Sequence, residues 1–311
     1  MADQEPAREE DAPSGPPVSE LAKAWSSAVR ELFGESGEEK AAQLLDFWRR
    51  RLAGDYEVDD FGFDPELTSR LLLTALRPIA EQWFRIDVRG VENVPRTGGA
   101  LVVANHSGVL PLDALMVQLV LHDHAGRNLR MLGADLLFAL PFVSGLARKS
   151  GATLACTEDA ERMLSHGELA GVWPEGYKGI GKPFADRYRL QRFGRGGFVA
   201  AAMRSGVPIV PCSVVGAEEI YPMIGNLRWL ARLLGVPYVP VTPLFPWLGL
   251  LGLVPLPSKW VIEFGEPIHT DGYPEGAADD PMVVFDVTDQ VRETIQQTLY
   301  ELLRKRGSAF F

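Results

Sequence analysis

Residues 99–113, GALVVANHSGVLPLD, decide the fold. The continuous apolar run Ala100 to Ala104 reads as a strand buried on both faces, as strands of a parallel sheet are. It ends in a polar turn, Asn105-His106-Ser107-Gly108, and PLDALMVQLVLHDH (111–124) then takes up helical periodicity. Strand, polar turn and helix together form the repeating unit of α/β proteins.

Downstream the theme recurs. LRMLGAD (129–135), ATLAC (152–156), LAGVWPEG (169–176) and VPIVPCSVVG (207–216) are short β-branched or apolar runs that open into polar or Gly-containing turns. EDAERMLSHG (158–167) and RGGFVAAAMRSG (195–206) between them have helical spacing, WVIEFGEPI (260–268) reads as a closing strand, and 282–306 as a C-terminal helix. Upstream, FRIDVRG (84–90) alternates like a strand with one solvated face. The fold expected is therefore α/β, a mostly parallel central sheet flanked by helices and preceded by an N-terminal helical region. Three parts are expected: an acidic, Pro- and Ser-rich disordered tail over 1–20, helices within 21–84, and the α/β domain over 85–311. In the helical part, Leu21, Trp25, Val29 and Leu32 form one stripe and Leu44, Leu45 and Trp48 another. Gly34–Gly37 is read as the break between them, GDYEVDDFGFDPE (54–66) as a link, and Pro65 to about Trp83 as a further amphipathic helix.

Composition narrows the function. The formal net charge of -10 over 311 residues argues against nucleic-acid binding. Residues 1–60 hold 15 acids and 7 bases, whereas 61–311 hold 26 and 24, so the α/β part is close to neutral and can accept a phosphate group. Cys156 and Cys212 stand far apart in apolar runs, which predicts two buried free thiols in a reducing compartment. No secretory signal is visible. Residues 238–257 form the most apolar stretch, but Pro240, Pro243, Pro246 and Pro255 would break a spanning helix. They are read as a loop in the bilayer interface or lining an acyl-chain tunnel.

The chemistry-bearing residues cluster at the ends of two runs. His106 lies at a strand-to-helix junction, where an imidazole with a carboxylate on its other nitrogen can act as a base near neutral pH. Asp113, in the first helical turn after Pro111, is the candidate carboxylate. The second cluster, VWPEGYKGIGKP (172–183), offers Pro174, Glu175, Gly176 and Lys178, followed by Lys182, Arg187, Arg189, Arg192, Arg195 and Arg204; between Lys178 and Arg204 only Asp186 is acidic. Such a patch suits phosphate groups. The spacing of Gly176, Gly181 and Lys182 mimics a nucleotide-binding loop, but Pro183 stands where Ser or Thr would hold magnesium. There is no G-x-S-x-G nucleophile elbow. His122 and His124 lack companion metal ligands.

In order and spacing, these blocks resemble the glycerolipid acyltransferase superfamily of the lysophosphatidic acid type. Its N-H-x4-D block is similar to Asn105-His106 with Asp113, its F-P-E-G block to Trp173-Pro174-Glu175-Gly176 with Lys178, and its V-P block to Val207-Pro208-Ile209-Val210-Pro211. Two departures stand out: six residues, not four, separate His106 from Asp113, and GATLACTE (151–158) lacks the arginine usual in the family's second block. RFGRGGFVAAAMRSGVPIVPCSVVGAEEIY (192–221) is similar to the branch that makes neutral lipid esters, such as diacylglycerol acyltransferases and phytyl ester synthases. The resemblance implies transfer of a fatty-acyl group from acyl-CoA or acyl-carrier protein to a hydroxyl of a glycerolipid. His106 and Asp113 would be catalytic, and Asn105, Pro174, Glu175, Gly176, Lys178, Lys182 and Arg195 would bind substrate. No metal or redox cofactor is implied. The partners would be the thioester, the lipid acceptor and a membrane surface, with the protein cytoplasmic and peripheral on the inner face of a membrane. A neutral-ester synthase and an inactive lipid-binding protein of the same fold are the alternatives.

Overall fold

The structure is a computed structural model that describes residues 35–139 and 143–310. The expected acidic tail and the helical stripe from Leu21 to Leu32 lie outside the described residues. The chain divides into two compact units after Glu57.

In the first unit, α1 (Glu35–Leu52) begins before Gly37 and runs through it, so that glycine does not interrupt the helix as expected. Arg49, Arg50 and Arg51 close it, where cations favour the negative end of the helix dipole.

The second unit opens with α2 (65–83), a continuous helical path. Its α-turns Pro65–Leu67 and Thr74–Pro78 alternate with π-turns Thr68–Leu73 and Ile79–Trp83. Asp64 caps it by accepting from the Leu67 amide at 2.9 Å, and Pro65 at the first helical position has no amide hydrogen to leave unpaired. The helix expected from Pro65 to about Trp83 forms, but it belongs to the second unit and not to a separate N-terminal helical region, because it sends Leu73, Leu76 and Ala80 into the main core.

Then follow β1 (Asp87–Arg89), β2 (Ala100–Ala104), α3 (Leu112–Val120), β3 (Leu129–Gly133), α4 (Asp135–Ala139), α5 (Val143–Lys149) and β4 (Ala152–Leu154). α6 (Thr157–Ser165), β5 (Leu169–Val172), α7 (Tyr177–Ile180), α8 (Gly197–Arg204) and β6 (Ile209–Val215) complete the central part. Last come β7 (Gly225–Asn226), α9 (Arg228–Leu234), β8 (Pro240–Val241), β9 (Val261–Phe264) and α10 (Pro281–Lys305). Seven strands form one sheet in the order β1-β9-β6-β2-β5-β3-β4, while β7 and β8 pair separately. All neighbours in the large sheet are parallel except β6 and β9.

Alternation along β2 builds both halves of the core. Ala100, Val102 and Ala104 face a cluster with Leu73, Met116, Val117 and Trp260, while Leu101 and Val103 face Leu164, Val199, Val291 and Ile295. α10 lays Val284, Val287, Val291, Ile295, Leu299 and Leu302 along the second half at helical spacing. Burying each such side chain contributes about 1.5–3 kcal/mol. Cys212 is buried, and its thiol is pushed well above the usual range by burial; Cys156 is only half-buried, short of the two buried thiols expected. Among the described residues, no helix is long and apolar enough to cross a membrane.

Candidate active site

β5, β2 and β6 are neighbours at the middle of the sheet, and their C-terminal ends deliver three turns to one edge. In open α/β sheets that edge is where ligands bind. The β2 end is fastened by Asn105, whose side-chain amide makes both hydrogen bonds to Val214 of β6: its oxygen accepts from the Val214 N–H at 2.7 Å and its nitrogen donates to the Val214 carbonyl at 3.0 Å. Asn105 is fully buried, so its amide is committed to the fold.

His106 follows. Its Nδ1 lies 2.7 Å from Asp113 Oδ2, with 13% of the histidine side chain and none of the aspartate exposed. The same Oδ2 accepts from the Ser107 amide at 2.9 Å, and Oδ1 accepts from the Ala114 amide at 2.9 Å. A carboxylate oxygen facing Nδ1 accepts the ring proton there, which leaves Nε2 as the basic nitrogen. The six intervening residues bulge without separating the pair. Gly108 takes φ +79° in that bulge, and Tyr238 donates its hydroxyl to the Val109 carbonyl at 2.6 Å. Burial, and then the charge of Asp113, push the Tyr238 phenol well above its usual range, so it remains a donor.

The β5 turn reaches the same place from the neighbouring strand. Glu175 is buried; Oε1 accepts from the His106 amide at 2.9 Å and Oε2 from the Gln191 amide at 2.6 Å. Gly176 adopts φ 56° and ψ -144°, which excludes a side chain at that point. Gly179 then lies against the turn, where a Cβ would come within 2.8 Å of the His106 carbonyl and 2.9 Å of its Cβ. The Trp173 ring centre stands 5.9 Å from the imidazole. Its indole N–H and the Ser107 hydroxyl are closed to solvent and have no partner among the described residues.

Placement of the other expected residues is mixed. Lys182, expected at a substrate phosphate, is buried between two carboxylates, 3.5 Å from Glu175 Oε2 and 3.2 Å from Glu218 Oε1. Glu175 itself turns inward to these donors and does not face the acceptor edge. Pro174 is half-buried in the turn, while Lys178 and Arg195 are exposed. Of the outer arginines, Arg204 is taken by Glu161 and Asp279. Glu218 went unnoticed in the sequence, although GAEE directly follows a strand as the histidine turn does. Burial raises its carboxyl to about 7, with the Glu175 charge adding to the rise, against the pull of Lys182 and the Tyr188 amide.

The profile of the acyltransferase family matches residues 85–215, a span that contains the His106 and Glu175 turns. The uncharacterized protein Rv0502 of Mycobacterium tuberculosis is 61% identical over 272 residues, 87% of this chain and 76% of that one. The human "DGAT1/2-independent enzyme synthesizing storage lipids" is 27% identical over 170 residues, 54% of this chain and 52% of its own. Among solved structures, the lysophosphatidic acid acyltransferase PlsC of Thermotoga maritima has the same fold, with a TM-score of 0.50 and 20% identity over 79% of this chain and 85% of that one. With both turns inside the matched span, residues 85–215 belong to the acyltransferase family.

Proposed function

We propose that this enzyme transfers a fatty-acyl group from acyl-CoA or acyl-carrier protein to a hydroxyl of a glycerolipid such as a lysophospholipid, with His106 as general base. The observation that carries the reading is the 2.7 Å contact between His106 and Asp113 at the ligand-binding edge of the sheet. His106 Nε2 takes the proton from the acceptor hydroxyl as its oxygen attacks the thioester carbonyl. Asp113 holds the Nδ1 proton and stabilises the imidazolium. When the tetrahedral intermediate collapses, the C–S bond breaks and the imidazolium returns the proton to the departing thiolate, leaving an ester and a free thiol. The carbonyl oxygen gains charge in between; backbone amides of the 173–176 turn, the Ser107 hydroxyl and the Trp173 indole N–H are the candidate donors. Exposed Lys178 and Arg195 suit the phosphates of the thioester or the acceptor. No metal enters the scheme. The reaction runs at the cytoplasmic face of a membrane, where the acceptor resides.

A second acceptor class has support of its own. The human relative is named for storage-lipid synthesis, and residues 151–158 have no arginine for an acceptor phosphate, so diacylglycerol or a long-chain alcohol is the competing acceptor. The inactive-protein reading is weakened by the intact His106–Asp113 contact.

Purified protein assayed with labelled acyl-CoA against lysophosphatidic acid, diacylglycerol and a long-chain alcohol tests the acceptor. His106→Ala is expected to lower turnover about 10²–10⁴-fold while the protein stays folded. Full turnover in that variant would remove the base from the scheme.

A further inference from the structure

Residues 220–262 contain no Asp or Glu, in a chain that has 41, yet they carry Arg228, Arg232 and Lys259. Within this insert between β6 and β9, α9 reverses the usual sidedness of a surface helix. Ala231 is its buried residue, while Trp229 and Leu233 are 67% and 74% exposed. At about 100° per residue, positions two before and two after Ala231 each point roughly 160° away from it. Trp229 and Leu233 therefore form the outermost ridge.

Arg228 and Arg232, one turn apart, run along the flank and line a hollow of about 210 Å³ together with Asn226. Further along the insert, Trp247 and Leu250 are 73% and 83% exposed. A helix that meets only water puts charge outward and Trp and Leu inward. An apolar ridge flanked by arginines, on an acid-free segment, suits the headgroup layer of a bilayer, with indoles at the interface and guanidiniums on phosphates.

We infer that α9 and residues 247–251 dock this chain on a bilayer containing anionic phospholipid. Arg228 and Arg232 contact lipid phosphates, and Trp229, Leu233 and Trp247 enter the interface. The inference deepens the reading of the chain as a lipid acyltransferase and rests on that reading for its purpose: Tyr238, in the same insert, holds the Val109 carbonyl of the loop between His106 and Asp113. Docking here would bring that loop to the membrane, so an acceptor need not leave the lipid phase.

The test is flotation of the full chain with vesicles of phosphatidylcholine, with and without about a third phosphatidylglycerol. Wild type is expected to float with the mixed vesicles. Arg228→Gln with Arg232→Gln should weaken that binding about 5-fold per arginine, roughly 25-fold together, and abolish the preference for anionic lipid. Trp229→Ser with Leu233→Ser should weaken binding to both vesicle types, with unchanged melting temperatures as the folding control. Wild type remaining with the soluble fraction, or variants that float as well as wild type, overturns the proposal. So does a lipid-free dimer that the Trp229→Ser, Leu233→Ser pair dissociates, since a second copy would then be the occupant. Turnover on a short-chain, water-soluble acceptor is read in parallel. Vesicle binding without any turnover sinks the acyltransferase reading alone, and turnover without vesicle binding sinks the docking surface alone.

Discussion

Asp113→Asn changes one atom type in the candidate dyad and leaves its shape intact. In the native arrangement Oδ2 accepts from His106 Nδ1 and the Ser107 amide, and Oδ1 accepts from the Ala114 amide. An asparagine can satisfy only one side. If its oxygen faces His106, its NH2 meets the Ala114 N–H, donor against donor. If it turns over, the NH2 meets the Ser107 N–H and donates to Nδ1, which drives the imidazole proton to Nε2, where the base must be free. A buried mismatch of this kind costs about 1–3 kcal/mol of stability, enough to lower the melting temperature by several degrees without unfolding the protein at 25 °C. The wrong tautomer costs far more in rate, about 10²–10⁴-fold, which is roughly 3–5 kcal/mol of transition-state stabilisation. Thiol release from acyl-CoA at saturating acceptor reads the rate, and thermal denaturation by circular dichroism reads the fold. Turnover close to wild type in a folded Asp113→Asn protein would refute the assignment of tautomer control, and with it the role of the dyad.

Gly179→Ala places a methyl within 2.8 Å of both the Glu175 Cβ and the His106 carbonyl oxygen; the displaced turn should cost about 1–3 kcal/mol by denaturant titration and lower kcat beyond what the stability loss explains. Glu218 has a folded-state pKa raised from 4.5 to about 7. Its contribution to stability is therefore complete below about pH 4.5 and is lost as pH rises through 7, by at most about 3 kcal/mol. Denaturation midpoints measured between those limits should slope downward, and Glu218→Gln should flatten the slope. Tyr238→Phe removes the 2.6 Å hydrogen bond to the Val109 carbonyl and is expected to cost about 1 kcal/mol in thermal unfolding, because that acceptor loses its donor.

The sheet was legible because parallel strands buried on both faces must be apolar throughout, as Ala100–Ala104 and Ile209–Val215 are. The dyad was legible because a histidine at a strand end and an aspartate in the next helical turn are local to each other. What escaped was non-local. Nothing in Val261–Phe264 records that it pairs antiparallel with β6, since direction is set by the path of the connecting chain. Lys182 reads as one more member of a solvated basic run, and its burial rests on two carboxylates that spacing does not bring to it, Glu175 and the more distant Glu218. Asn105 and Glu175 stand in the turns after β2 and β5, but their side chains point back into the protein to bind amides and a carbonyl, which spacing alone does not encode. Gly37 lies inside α1 because the penalty for one helical glycine, about 1 kcal/mol, is small enough for its neighbours to offset.

The double fastening of β2 at Asn105, followed by anchoring of both the amide and the ring of His106, bears on how the reaction barrier is composed. An imidazole whose torsions are settled when the chain folds has little rotational freedom left to surrender when the substrates meet. Activation parameters for the intact enzyme should then be dominated by enthalpy. Cutting one tether, at Asn105 or Glu175, should show up chiefly as a more negative activation entropy.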